Sequence, residues 1–281
     1  MSERRLLLVH AHPDDESTGT GATMARYVTE GATVSLVTCT SGELGEVVDE
    51  NLAYLRGNPD ALGQHRRGEI AKALGALGVQ RHYWLGGAGR WRDSGMAGED
   101  DNTAEDAFAA ADMDEAVKAM VAVLRSERPD VVVTYDENGV YGHPDHIAAN
   151  RVLMTALEPA ADSTYATDSG APWVVPKVYW QTLPCSTVEH ARELGIRDFD
   201  PYGVPDEQLT AVLDGTSYHA TKLAALRCYA SQVDIDDGGF FASLVARPEF
   251  AVENYVLARG ERGPGTGPYG WEDDLFAGLG K

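Results

Sequence analysis

Arg5-Leu6-Leu7-Leu8-Val9-His10-Ala11-His12-Pro13-Asp14-Asp15-Glu16-Ser17 decides how the rest of the chain is read. Leu6 to Val9 is a short, continuous apolar run of the kind a strand buried on both faces requires. Gly19-Thr20-Gly21-Ala22-Thr23-Met24-Ala25 then opens a helical pattern that stops at Gly31, and Thr33 to Thr38 is β-branched enough to be a second strand. The result is a βαβ unit. Its first turn carries two imidazoles and three carboxylates at the carboxyl end of a strand, where open α/β sheets bind ligands. Repulsion among Asp14, Asp15 and Glu16 is relieved by a cation, and neutral histidine with carboxylate is a donor set for a divalent metal. Gly19-Thr20-Gly21 is too short for a dinucleotide fingerprint.

The alternation continues outward from this unit. Ser41 to Glu46 is a glycine-bearing loop after the second strand, and Gln64 to Leu77 reads as a helix stopped by Gly78. A third strand, His82 to Leu85, leads into a long irregular stretch through Met96 to Asp106 that has the character of a binding loop in its first half. A helix from Met113 to Arg125, a strand from Val131 to Thr134 and a helix from His146 to Leu157 follow. This pattern predicts an α/β fold: a Rossmann-like, mostly parallel sheet with helices on both faces over residues 1–160. Residues 161–281 read as a smaller α+β part that completes the substrate cleft. It has strands at Lys177 to Gln181 and Ala251 to Leu257, helices at Thr187 to Leu194 and Ser217 to Ser231, and a flexible tail from Arg259.

Composition narrows the partners. Apolar residues make up 43% of the 281, and 23 basic against 44 acidic side chains give a net charge of −21. Such a charge excludes nucleic acid and anionic membrane as partners. No apolar run reaches the roughly 20 residues that cross a bilayer, and the N-terminus lacks the layout of a signal peptide. The chain is therefore expected to be cytoplasmic, with Cys39, Cys185 and Cys228 as reduced thiols. Nothing in the sequence sets an oligomeric state.

A second cluster, Tyr141-Gly142-His143-Pro144-Asp145-His146, follows the fourth strand, so it opens at the same sheet edge as the first. His12, Asp15 and His146 are the expected metal ligands, since two histidines and one carboxylate leave a coordination position for water. Asp14 is then free as general base, and His143 is placed to protonate a leaving amine. Asp145 is expected to fix the tautomer of His143, and Tyr141 to hydrogen-bond an oxyanion. The chemistry this set suits is hydrolysis of an amide. His10 is expected to pack or to support a ligand, and Glu16 has no assigned role.

His12-Pro13-Asp14-Asp15-Glu16 and Gly142-His143-Pro144-Asp145-His146 together resemble the LmbE-like, or PIG-L, family of zinc-dependent N-acetylglucosamine deacetylases. Gly42 to Val47 and Leu85 to Met96 are most similar to the branch of that family that deacetylates the pseudo-disaccharide GlcNAc-inositol in mycothiol biosynthesis. The resemblance implies Zn²⁺ on His12, Asp15 and His146, with Fe²⁺ accepted by the same donors. It implies Asp14 as base, His143 as acid or electrostatic partner, Asp145 as its orienter and Tyr141 as a movable oxyanion donor. It also implies that Arg66, or Arg67 beside it, together with Asp93 and Met96, binds an amino-sugar pseudo-disaccharide substrate. Val140 stands where relatives carry glycine, which predicts a stiffer loop under Tyr141. Two other functions compete: the sister amidase that cleaves mycothiol S-conjugates, and a non-catalytic sugar-binding module on the same fold.

Overall fold

A computed structural model of the protein describes residues 3–165, 170–193, 201–236 and 240–280. The strands are β1 (Arg5–His10), β2 (Thr33–Thr38), β3 (Arg81–Trp84), β4 (Val131–Tyr135), β5 (Lys177–Pro184), β6 (Gly203–Val204), β7 (Ala211–Asp214) and β8 (Val252–Arg259). The helices are α1 (Asp15–Thr29), α2 (Pro59–Leu77), α3 (Met113–Glu127), the single turn α4 (Gly139–Gly142), α5 (Pro144–Ala161), α6 (Cys185–Glu193), α7 (His219–Leu226) and α8 (Phe240–Val245).

One sheet runs in the order β3-β2-β1-β4-β5-β8-β7, with β6 added to β5. β1 to β6 pair in parallel, and β8 lies antiparallel to both β5 and β7. The expected mostly parallel α/β sheet is therefore present. Apolar β-branched and leucine side chains alternate between its two faces. Leu7, Val9, Val37 and Val132 join α3 and α5 in one core, while Leu6, Leu8, Leu36 and Val133 join α1, α2 and α7 in the other. Chain order reverses at β1, between β2 and β4, which opens a crevice at the carboxyl ends of β1 and β4. Among the described residues no helix is long and apolar enough to cross a membrane.

Three differences from expectation have local causes. Helix α2 starts ahead of Gln64 because Asn58 accepts the Ala61 N–H at 3.2 Å and Pro59 occupies the first turn, signals that precede the apolar period. Helix α7 covers only part of Ser217 to Ser231. The tail beyond Arg259 is docked and not free: Leu275 and Phe276 are buried, and Lys177 and Gly263 bind Glu272 inside the molecule. Helix α6 coincides with the expected helix from Thr187, whose last residue, Leu194, lies outside the described residues.

Candidate metal centre

The loop after β1 and the start of α5 meet at the crevice. Asp15 lies between two imidazoles, its Oδ2 3.3 Å from His12 Nδ1 and its Oδ1 3.4 Å from His146 Nε2. The other nitrogen of each ring is engaged. His12 Nε2 donates to Asp145 Oδ2 at 3.0 Å, and His146 Nδ1 donates to the Gly139 carbonyl at 3.2 Å. That leaves His12 Nδ1 and His146 Nε2 as the nitrogens that could hold a cation together with Asp15, and His146 Nε2 is buried without a hydrogen-bond partner among the described residues. An orphaned, buried imidazole nitrogen facing a carboxylate is what a cation site needs. Burial opposes a charge on His12, but Asp93, Asp145 and Asp15 outweigh it and hold its pKa well above the imidazole range. The surroundings thus call for a positive charge, which a divalent cation supplies in place of a proton.

His143 also brings a nitrogen within 4.8 Å of ligand atoms on His12 and His146. Its role differs because its Nδ1 accepts the Asp145 backbone N–H at 3.2 Å, which puts the proton of the neutral ring on Nε2. Burial, with His12 and His146 close by, pushes its pKa down to about 3. His143 is thereby neutral with its proton on Nε2, and it belongs to both groups of side chains whose atoms lie close enough to hold a metal, His12–His143–His146 and His12–Asp93–His143–Asp145. Asp145 acts differently from expectation. Its carboxylate orients His12 and takes Ser94 N–H and Oγ–H, at 3.0 and 2.5 Å, while only its backbone fixes His143.

The remaining expected residues fall as follows. Asp14 keeps a side-chain exposure of 23% and accepts from Arg66 Nη2 at 3.0 Å. Burial pushes its pKa up to about 7, with Arg66 opposing and Asp15 reinforcing. Arg66 also donates to the carbonyls of Gly42 and Pro13, whereas Arg67 turns outward to Ser41 Oγ and the Trp84 ring, which settles which arginine faces the site. Asp93 is held by the N–H groups of Gly95 and Leu44, 3.7 Å from His12 Nε2. Tyr141 sits edge-on to His146, ring centres 5.0 Å apart. Met96 is exposed on its loop and is not part of the buried cluster.

Sequence reasoning passed over Tyr135. Its hydroxyl donates to Asp15 Oδ2 at 2.7 Å and accepts from the Ala11 N–H, and its ring stacks on His146 at 4.0 Å. His10 backs it at 3.2 Å, with Thr20 on the far nitrogen of His10. The available signal was a hydroxyl at the last position of β4, beside the turn after β1.

Residues 7–157 match the PIG-L family, described as GlcNAc-PI de-N-acetylase. A 1D-myo-inositol 2-acetamido-2-deoxy-alpha-D-glucopyranoside deacetylase 2 of Saccharopolyspora erythraea is 70% identical over 97% of this chain and 100% of its own length. The corresponding deacetylase of Geodermatophilus obscurus is 51% identical over 98% of each. In architecture the chain is similar to N,N'-diacetylchitobiose deacetylase from Pyrococcus horikoshii, with a TM-score of 0.65, 21% identity and coverage of 90% and 83%. At that identity the likeness speaks for the fold alone. With a family match over more than half its length and relatives this near along almost all of it, the chain belongs to the PIG-L family of GlcNAc-PI de-N-acetylases.

Proposed function

We propose that the protein hydrolyses the acetamide of GlcNAc-inositol, 1D-myo-inositol 2-acetamido-2-deoxy-alpha-D-glucopyranoside, to the free amine and acetate, in mycothiol biosynthesis. The observation that carries this reading is the joint placement of two imidazoles and Asp15 as a donor set, with Asp14 and His143 beside them. His12, Asp15 and His146 would hold the cation, which we take to be Zn²⁺, Fe²⁺ being suited to the same donors. When bound, such a cation acidifies water and polarises a carbonyl.

The chain's own groups supply the rest. Asp14, raised toward neutrality, takes a proton from the attacking water and, in place of the neutral His143 expected to protonate the amine, returns it to the departing amine. His143, neutral with Nε2–H, donates toward the developing oxyanion from one side, and the Tyr141 hydroxyl from the other. Asp93 accepts from sugar hydroxyls. Arg66, anchored by donating to the Pro13 and Gly42 carbonyls, donates to Asp14 and lines the sugar side of the cleft, and Met96 borders its entrance. The C-terminal part contributes to the same cleft, with Gln232 against Gly45 and Tyr202 against Gly142.

The deciding experiment compares turnover of GlcNAc-inositol, free N-acetylglucosamine and a mycothiol S-conjugate by metal-loaded protein. GlcNAc-inositol should be strongly preferred. Preference for the conjugate would reassign the chain as the amidase, and no turnover of any amide with metal bound would leave a binding module.

A further inference from the structure

The reaction leaves one carboxylate of the metal turn without a task. Glu16 is fully buried, yet both its oxygens are engaged. Oε1 accepts from Ser17 Oγ at 2.5 Å and from Tyr229 Oη at 2.6 Å, and Oε2 accepts from the Asp14 backbone N–H at 3.1 Å. Tyr229 comes from the far end of the chain and is itself fully buried. Its backbone is tied at both ends, the N–H to Leu226 and the carbonyl to Gln232 and Val233.

What Glu16 grips is strained. Asp14 has φ 119 and ψ −29, a region where a side chain collides with the backbone and which glycine alone enters freely. No glycine stands there, because the carboxylate is needed beside Arg66. A strained residue persists only where its surroundings over-determine it. Here the surroundings are Glu16 on the N–H side, the Ser17 and Thr18 N–H groups of α1 on the carbonyl, and Arg66 on the side chain and on the Pro13 carbonyl.

We propose that Glu16 and Tyr229 form a clamp that keeps the Asp14 backbone in its strained conformation and so aims the Asp14 carboxylate into the cleft. Both are positioning residues and touch neither substrate nor cation. The aiming role rests on the reading of Asp14 as base; the clamp itself does not.

Glycine and alanine at position 14 separate the two. Both lack the carboxylate, so charge cancels in the comparison. In the parent, Asp14→Gly should have a folding equilibrium constant about five-fold or more above Asp14→Ala, since only glycine relaxes at φ 119. In a Glu16→Ala background the ratio should fall toward one. Tyr229→Phe keeps the ring packed and should lower the ratio part of the way, which covers the case in which Glu16→Ala does not fold. A ratio near one in the parent, or an unchanged ratio in the altered backgrounds, overturns the clamp. With Asp14 in place, Tyr229→Phe should lower kcat about tenfold, part of the roughly 10²- to 10⁴-fold that a positioned general base contributes, while KM and bound metal stay within about twofold. A closed ratio with kcat unchanged overturns the aiming role and leaves the clamp standing, whereas Asp14 as base is overturned separately, by an Asp14→Ala protein that keeps its kcat. Loss of metal, or a raised KM with kcat intact, likewise overturns the aiming role.

Discussion

Tyr135 and Asp14 both lie against Asp15, and their removal should have opposite signatures. Tyr135→Phe deletes one hydroxyl from behind a ligand and keeps the ring on His146. Metal affinity should drop about 10- to 100-fold, measured by competition with a chelator, with kcat of the loaded protein little changed. Asp14→Ala should cut kcat by about 10²- to 10⁴-fold with metal content at the parental level by elemental analysis. Loss of metal instead would make Asp14 a ligand. That His12, Asp15 and His146 come together was legible in the sequence, because they lie in the turns that follow β1 and β4, where topology fixes the meeting place. Their supporting hydroxyls were not. Tyr135, Ser94 and Tyr229 reach the site from segments distant in sequence, so their contacts leave no local spacing to read. Asp145 was legible as a participant but not in its partner, since a side chain at a helix start can turn either way.

The turn Gly139–Gly142 shows how an element rather than a residue sets the site. Val140 has φ 67 and ψ −46, and the carboxylate of Asp136 caps the turn through the N–H groups of Asn138 and Val140. On the far side, Tyr202 N–H binds the Val140 carbonyl at 2.7 Å, so Tyr141 is held from both ends. In a relaxed backbone glycine is about 0.5–1 kcal/mol worse than alanine. Here strain of about 1–3 kcal/mol should reverse the order, so Val140→Gly should melt above Val140→Ala by calorimetry. The same order as in a relaxed backbone would mean that the turn carries no strain. At this scale β1 to β5 were readable from apolar runs and β-branching. β6 and β7 were not, being short strands with no alternation of their own that exist because β5 and β8 offer them edges.

Across the whole molecule, stability and site are separable. The imidazoles lie outside both apolar cores, so chelation should leave the far-UV circular dichroism unchanged. Adding metal back at a hundredfold excess over Kd should then contribute about 2.7 kcal/mol, read as a rise in Tm. The docked tail matters more. Glu272→Ala strands the buried ammonium of Lys177 and should cost about 3–5 kcal/mol in a denaturant titration. Glu30→Ala, at a partly exposed pair with Arg4 and Arg26, should cost no more than about 1 kcal/mol. The place of β8 between β5 and β7 also has a bearing on how the protein is made. A growing chain can pair β1 to β5 as soon as they leave the ribosome, and every metal ligand has by then been synthesised. The outer edge of β5 has to wait for Val252–Arg259 before its row of amides is covered by β8. Until then the nascent protein carries an open template for pairing with a neighbour. Chains halted before β8 should be recovered as aggregates, even though they already carry His12, Asp15 and His146.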